Sequence, residues 1–426
     1  MKKSHFLFLA LSVLMLPACD HGTEEYVTYM TNEPIFMSAT EFRSSVDVEA
    51  PKPIEEQGKI AFYNDYLYIS QPGKGIHVID NRQPSNPRNI AFIELLGNAD
   101  MHIRDNMLYA DSFIDLVWFD ISDPAAPVFK GRKEEVFPEA LPPIENNYGC
   151  DYSQAMDRKN GVVVGWKVVE RKELVSNYKS RWHWGWGWSK ELMYTDAAPS
   201  TGNAGGAGMV GSMSRFAIYK DHLYTILQNR LDIFDLSGEE PEKVGKEIYV
   251  GSDAETIFPY KDYLFFGTPT GMIVYSVENP TEPVYISRVI HILGCDPVVV
   301  EDDIAYVTVR SGDFCGQDVD MLMVIDVKDV KHPKPIVEYA MYNPKGLGID
   351  NGTLFVCDKG LRVFNAKDPL ALMTEANKLA HFQEMDGLDV IPYNNVLMMI
   401  ADDGIYQYDY TDVTKIKLLS VLPIGK

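Results

Sequence analysis

One phrase recurs seven times along this 426-residue chain: a turn doublet of Asn, Asp, Lys or Gly, then a short strand of large apolar and aromatic residues. It reads YNDYLYI (63–69), RDNMLYA (104–110), YKDHLYT (219–225), YKDYLFF (260–266), EDDIAYV (301–307), DNGTLFV (350–356) and YNNVLMM (393–399). A second phrase follows each, as in GIHVID, LVWFD and LMVID, and its last residue falls at 80, 120, 235, 276, 326, 365 and 409. A proline-marked turn and a further strand complete the unit, as in DISDPAAP before VFKGRK. Period-two alternation and β-branched or aromatic residues between turn formers mark strands. The period is about 40 residues, with four strands per unit, which is the signature of a β-propeller. The chain is therefore expected to be all-β, a propeller of seven four-stranded blades, or eight if GVVVGWKVVERKEL (161–174) is a degenerate blade. The jump from 120 to 235 marks a long insertion, residues 137–213. The segment 26–43 has strand character and is expected to pair with the last blade and close the ring. Residues 369–381 are the best helical candidate within the repeats.

The second phrase, and GKGIHVIDNRQPSNPRNIAFIELLGNADM in particular, resembles the LVIVD-repeat family of bacterial and archaeal surface proteins. The resemblance covers roughly residues 25–136 and 214–426. It implies a propeller fold and a surface location, and it brings no catalytic residues with it.

In a propeller the loops entering each inner strand, and those between the second and third strands, share one face, the top. The insertion leaves from that face, where loops on a rigid scaffold carry binding. Asp100, Asp253, Asp296 and Asp386 stand at the starts of inner strands, in NADM, SDAE, CDPV and MDGL. They would ring the channel mouth, where carboxylates suit calcium or a basic group; Asp is equally a good residue for starting a strand after a turn. No loop has the spacing of a calcium site, so no cofactor is assigned. Cys295 and Cys315 are both top-face positions of the fifth unit and are expected to form a disulfide. Cys150 and Cys357 are expected to stay separate, Cys357 as a small buried strand residue.

Inside the insertion, RWHWGWGWSK (181–190) carries four of the six tryptophans. As a strand it puts Trp182, Trp184, Trp186 and Trp188 on one face. Such a row serves as a stacking platform for sugars, as an anchor for a protein partner, or as a face packed onto the insertion's own core. The glycine-rich AAPSTGNAGGAGMVGS (197–212) reads as a flexible connector.

The N-terminus, MKKSHFLFLALSVLMLPAC, has two lysines, an apolar run and small residues before Cys19. That pattern is a secretory signal over 1–18, and Leu16-Pro17-Ala18-Cys19 resembles the lipobox of bacterial lipoproteins. Cys19 would be lipidated, residues 19–25 would be a tether, and 26–426 a single propeller domain. Several acyl chains on one residue anchor stably. The expected location is the outer membrane, on the cell surface or facing the periplasm. A formal charge of −22 repels nucleic acid.

No motif of a metalloprotease, serine hydrolase or phosphate-binding loop is present. The leading expectation is a non-enzymatic binding or scaffold module for a glycan or protein. The alternative is a propeller hydrolase or lyase acting on polysaccharide, which requires a pair of top-face carboxylates with a raised pKa in a cleft.

Overall fold

A computed structural model describes residues 25–146, 148–175, 177, 209–210, 215–227, 229–251, 254, 256–268, 271–290, 297–310 and 319–425. Seven sheets each contain four antiparallel strands, A to D, drawn from residues 60–94, 101–133, 216–249, 256–290, 298–340, 347–382 and 389–423. The A strands of successive blades neighbour one another and line the axis. The fold is a seven-bladed β-propeller; residues 162–174 do not form an eighth blade.

Each part of the repeated phrase has a mechanical role. The doublet is the A–B turn, and in five of the seven blades both of its residues have positive φ, as at Asn64 and Asp65 (47° and 61°) or Asn394 and Asn395 (48° and 64°). Two such residues make the tight turn whose twist matches a hairpin. The residue ending strand A then reaches the next blade's turn. Tyr63 Oη accepts from the Asn106 N–H at 3.0 Å, and Tyr260 Oη from the Asp303 N–H at 3.0 Å. Tyr219 Oη donates to Asp262 at 2.6 Å, Arg104 pairs with Asp221, and the Gly352 N–H donates to Glu301 at 2.6 Å. The residue ending strand C caps the C–D turn in all seven blades: Asp80, Asp120, Asp235, Ser276, Asp326, Asn365 and Asp409 each accept from the N–H two residues on. This is why a short polar residue ends the second phrase. Every C–D pairing also carries one register irregularity, which adds twist to the outer strand.

The core is divided among the joints. Seven apolar clusters each span one pair of neighbouring blades. Cys357, on strand B of blade 6, lies fully buried in one of them, and Cys150 and Cys357 are both free thiols.

The expected closure by residues 26–43 is not what forms. Tyr26–Met37 pairs antiparallel with Val162–Leu174 as a separate two-stranded ribbon. Both segments have strand character, which does not by itself specify the partner. Blade 7 is completed by its own strand D, Lys417–Pro423. The ring closes by packing: Phe62 lies 4.6 Å from the Tyr393 ring, and Asn81 and Gln407 exchange two buried amide hydrogen bonds at 2.9 and 2.7 Å. Gly425 N–H donates to Ile54 O at 2.8 Å and Ser420 Oγ to Pro84 O at 2.5 Å. Residues 369–381 are not a helix. Pro369–Ala371 makes one 3₁₀ turn capped by Asp368, and Lys378–Phe382 is strand D of blade 6.

Two small segments sit at the edges of blade 1. Asp47–Glu49 adds outside strand D, and Met209–Val210 pairs with strand A on the channel side. The helix Ala39–Ser44 starts at Ser38, whose Oγ accepts the Glu41 N–H, and buries Phe42 against Phe113 at 6.1 Å between ring centres.

Candidate functional site

The top of blade 2 is where the insertion meets the propeller. Leaving strand D (Val128–Lys133), the chain lays Val136, Phe137 and Ala140 into the wedge between blades 2 and 3, beside Trp118 and Phe216. The ribbon's base covers the neighbouring loops, with Met37, Val162 and Val164 packed on Phe113, Ile114 and Leu96. Leu141, Ala155, Val163 and Trp166 form a further small core, and Trp166 Nε1 donates to Pro142 O at 2.8 Å.

Two buried aspartates, Asp100 and Asp115, and the partly buried Asp111 fasten this assembly. Asp115, which begins strand C of blade 2, is fully buried. Its carboxylate accepts from Arg43 Nε at 2.9 Å, Arg132 Nη1 at 3.0 Å and the Glu135 N–H at 2.8 Å. One acid thus ties the N-terminal helix, the outer strand and the first residues beyond it. Asp100, also fully buried, accepts from the Met101 N–H at 2.8 Å and the Arg215 N–H at 2.6 Å. It holds the point where the chain returns into blade 3. Asp111 is the next-to-last residue of strand B, Met107–Ser112; its Oδ1 accepts from the Ala99 and Asp100 N–H groups at 2.7 and 2.9 Å, and its Oδ2 stands 3.6 Å from Arg215 Nη2. Burial pushes the Asp111 carboxyl up to about 6, against the pull of Arg215 and of the backbone N–H groups.

Asp111 and Arg215 face a pocket of about 30 Å³ walled by Phe113, Phe137, Phe216 and Leu227. That volume admits about two waters or the end of one side chain. Asp386, on the loop into blade 7, is exposed and lies 3.6 Å from Lys345 Nζ, so Asp100 and Asp386 engage different partners at different joints. Asp253, Asp296, Cys295, Cys315, Cys19 and Trp182, Trp184, Trp186 and Trp188 lie outside the described residues. Among the described residues no group of three or more His, Cys, Asp or Glu is arranged to hold a metal ion, and no helix is long and apolar enough to cross a membrane.

Sequence reasoning missed Asp111, Asp115, Arg43, Arg132 and Arg215. The available signal was the acid at each end of the second-to-third strand connection in YADSFIDLVWFD, where the other units place Ser, Thr, Gly or apolar residues at most positions.

A family model described as the LVIVD repeat matches residues 57–94 and 99–134, which are blades 1 and 2. No curated protein matches the chain. Among solved structures, Hsv2 of Kluyveromyces lactis is 13% identical with a TM-score of 0.45, covering 88% of this chain and 99% of that one. BamB of Moraxella catarrhalis is 9% identical with a TM-score of 0.43, covering 89% and 97%. No role is carried over from either. The chain is a seven-bladed β-propeller that carries LVIVD repeats in its first two blades.

Proposed function

We propose that this chain is a cell-envelope lipoprotein, anchored through acylated Cys19, whose propeller is a non-enzymatic binding or scaffold module. It takes a glycan or a protein partner through its top-face loops and the 137–213 insertion. The observation that carries this reading is the use made of the buried acids on blade 2. Asp100 and Asp115 have both oxygens occupied by backbone N–H groups and arginines that fasten the insertion and the N-terminal segment to the ring. Acids used in this way build a fixed loop platform, on which binding residues are held by a rigid scaffold.

The test is binding of residues 20–426 to a glycan and polysaccharide array. A variant with Trp182, Trp184, Trp186 and Trp188 changed to Ala is run alongside, after circular dichroism shows that it folds. Selective binding lost in the folded variant supports a sugar platform. Binding by neither, with a protein captured from envelope extracts only by the unaltered chain, supports the scaffold form.

A second reading, a hydrolase or lyase on polysaccharide, draws on Asp111, whose carboxyl is held near neutrality beside Arg215 in an aromatic pocket. Its neighbour Asp100 accepts one backbone N–H on each oxygen, from Met101 and Arg215, which fixes its carboxylate in place. Release of reducing ends by the unaltered chain and its loss in Asp111→Asn would revive this reading.

A further inference from the structure

The segment 50–57, between the edge strand Asp47–Glu49 and strand A of blade 1, crosses the joint that closes the ring. Ile54 is buried in the wedge between blades 7 and 1, and its carbonyl accepts the Gly425 N–H. Gln57 Nε2 donates to Ala401 O of blade 7 at 2.6 Å. At the other end Asn89 Nδ2, on strand D of blade 1, donates to Lys52 O at 2.7 Å. The segment is a strap with one foot on each side of the joint.

His77, on strand C of blade 1, is fully buried beside the Phe92 ring, and Lys52 of the strap lies over that ring at 4.7 Å. Both imidazole nitrogens are connected to the strap. Nε2 stands 2.8 Å from Gln71 Oε1, which also accepts the Glu55 N–H at 3.2 Å. Nδ1 stands 3.3 Å from Asn89 Nδ2, the same amide nitrogen that holds Lys52 O. An amide nitrogen only donates and an amide oxygen only accepts. These contacts fix one tautomer, with the hydrogen on Nε2 and a bare acceptor at Nδ1.

A second proton therefore has one place to go, Nδ1, where it points at another donor. Asn89 Oδ1 is buried without a hydrogen-bond partner. Turning the amide over would offer that oxygen to the new N–H, and would set it against Lys52 O where a hydrogen bond had been. The charged groups facing the imidazole are Glu55 and Lys52, both on the strap and of opposite sign. Lys74 pairs with Glu55 at 2.7 Å and holds its carboxyl below the usual range, so Glu55 stays ionised while His77 titrates. Strands B and D meet the ring with the neutral Gln71, Asn89 and Phe92, and the wedge toward blade 7 is apolar.

We propose that His77 is a proton-operated release for the strap 50–57: a second proton on its imidazole turns Asn89 away from Lys52, lifts the strap off blade 1 and loosens the joint between blades 7 and 1. Lifting the strap wets the imidazole and restores its ordinary affinity for protons. Burial holds the covered imidazole down to about 4 from 6.5. Opening should therefore become about a hundredfold more frequent between pH 7 and pH 4, and level off below that.

The experiment is hydrogen exchange of the full chain at pH 7, 5.5 and 4, with exposure times scaled to the intrinsic exchange rate, read by peptic digestion and mass spectrometry. Peptides covering 54–57 should lose protection by about a hundredfold from pH 7 to pH 4, while strands B and C of blade 6, residues 353–365, change less than threefold. His77→Gln keeps a donor toward Gln71 and cannot titrate; its strap should stay protected at pH 7 and loosen less than tenfold at pH 4. Asn89→Ala removes the Lys52 anchor, so its strap should already be at least tenfold less protected at pH 7. Protection of 54–57 that is constant with pH overturns the proposal, as does an equal loss in folded His77→Gln or an Asn89→Ala strap as protected as the unaltered one. Loss of protection in blade 6 to the same extent also overturns it, because the whole ring would then be unfolding.

Discussion

The joint between blades 7 and 1 closes the ring without exchange of a strand, and its strength can be measured through one pair of side chains. Asn81 and Gln407 are 3% and 0% exposed and exchange two amide hydrogen bonds across the joint at 2.9 and 2.7 Å. Replacing one partner strands both a donor and an acceptor on the other, at about 2–3 kcal/mol. Asn81→Leu and Gln407→Met should therefore each lower stability by that amount in equilibrium urea denaturation of residues 20–426 at 25 °C. Carrying both changes removes every polar atom of the pair at nearly constant volume, which is close to neutral. The double variant should return to within about 1 kcal/mol of the unaltered domain, a coupling far outside the additivity of independent sites. The urea slope should stay constant across the four proteins, since the surface exposed is unchanged. A double variant as unstable as the sum of the singles would refute the view that the pair acts as one closing unit. A fall in slope in the singles would show the ring parting at this joint before the blades unfold.

Three further outcomes follow from the same contacts. Asp115→Ala leaves Arg43 and Arg132 facing each other without their shared acid, and breaking a buried pair of this kind costs about 3–5 kcal/mol. Limited proteolysis should then cut the segment 38–46 at least tenfold faster than in the unaltered chain. Below neutral pH, stability should fall. Burial holds the His77 and His102 imidazoles down to about 4 from 6.5, so the unfolded chain binds more protons between those values, costing about 3 kcal/mol for each as pH drops. Asp111, raised from 3.8 to about 6, acts in the opposite sense over that range and recovers about 3 kcal/mol. A urea midpoint that stays level from pH 7 to 4, or an acid limb unchanged by His102→Gln, contradicts this assignment. Finally, Asp235→Ala removes the cap on the Ser237 N–H at 2.8 Å and should cost about 0.5–1 kcal/mol without altering any ligand affinity. A loss of binding in that folded variant would mean the repeat's final acid does more than lock a turn.

The blades were legible because their signals are local. The doublet Asn64-Asp65 sets its own backbone, and Asp120 caps a turn two residues away, so composition at fixed offsets revealed both. Pairing over long distances was not legible. Tyr26–Met37 alternates like any half-buried strand, and nothing in that alternation names Val162–Leu174 as its partner, 125 to 148 residues on, rather than the edge of blade 7. The segment 369–381 carried Leu, Ala and Met at helical spacing, but Pro369 and strand pairing from Lys378 to Phe382 overrode that preference. At the site, Asp100 was visible as an acid before a strand. Its role was not, because the Arg215 N–H that it accepts lies 115 residues away across the insertion.

The latch-free ring has a consequence for how such a chain can be rearranged. Each blade is built from contiguous sequence, each joint has its own apolar wedge, and Gly425 already touches Ile54. The order of blades around the circle is thus independent of where the polypeptide is cut. Joining residue 425 to residue 25 through a flexible linker, so that Arg43 and the ribbon strand are kept, and opening the chain within 178–208, should yield a circular permutant with the same seven wedges. The same modularity lets a gene gain or lose a blade by duplicating or deleting about 40 codons in register, with the number that closes the circle set by wedge angle alone.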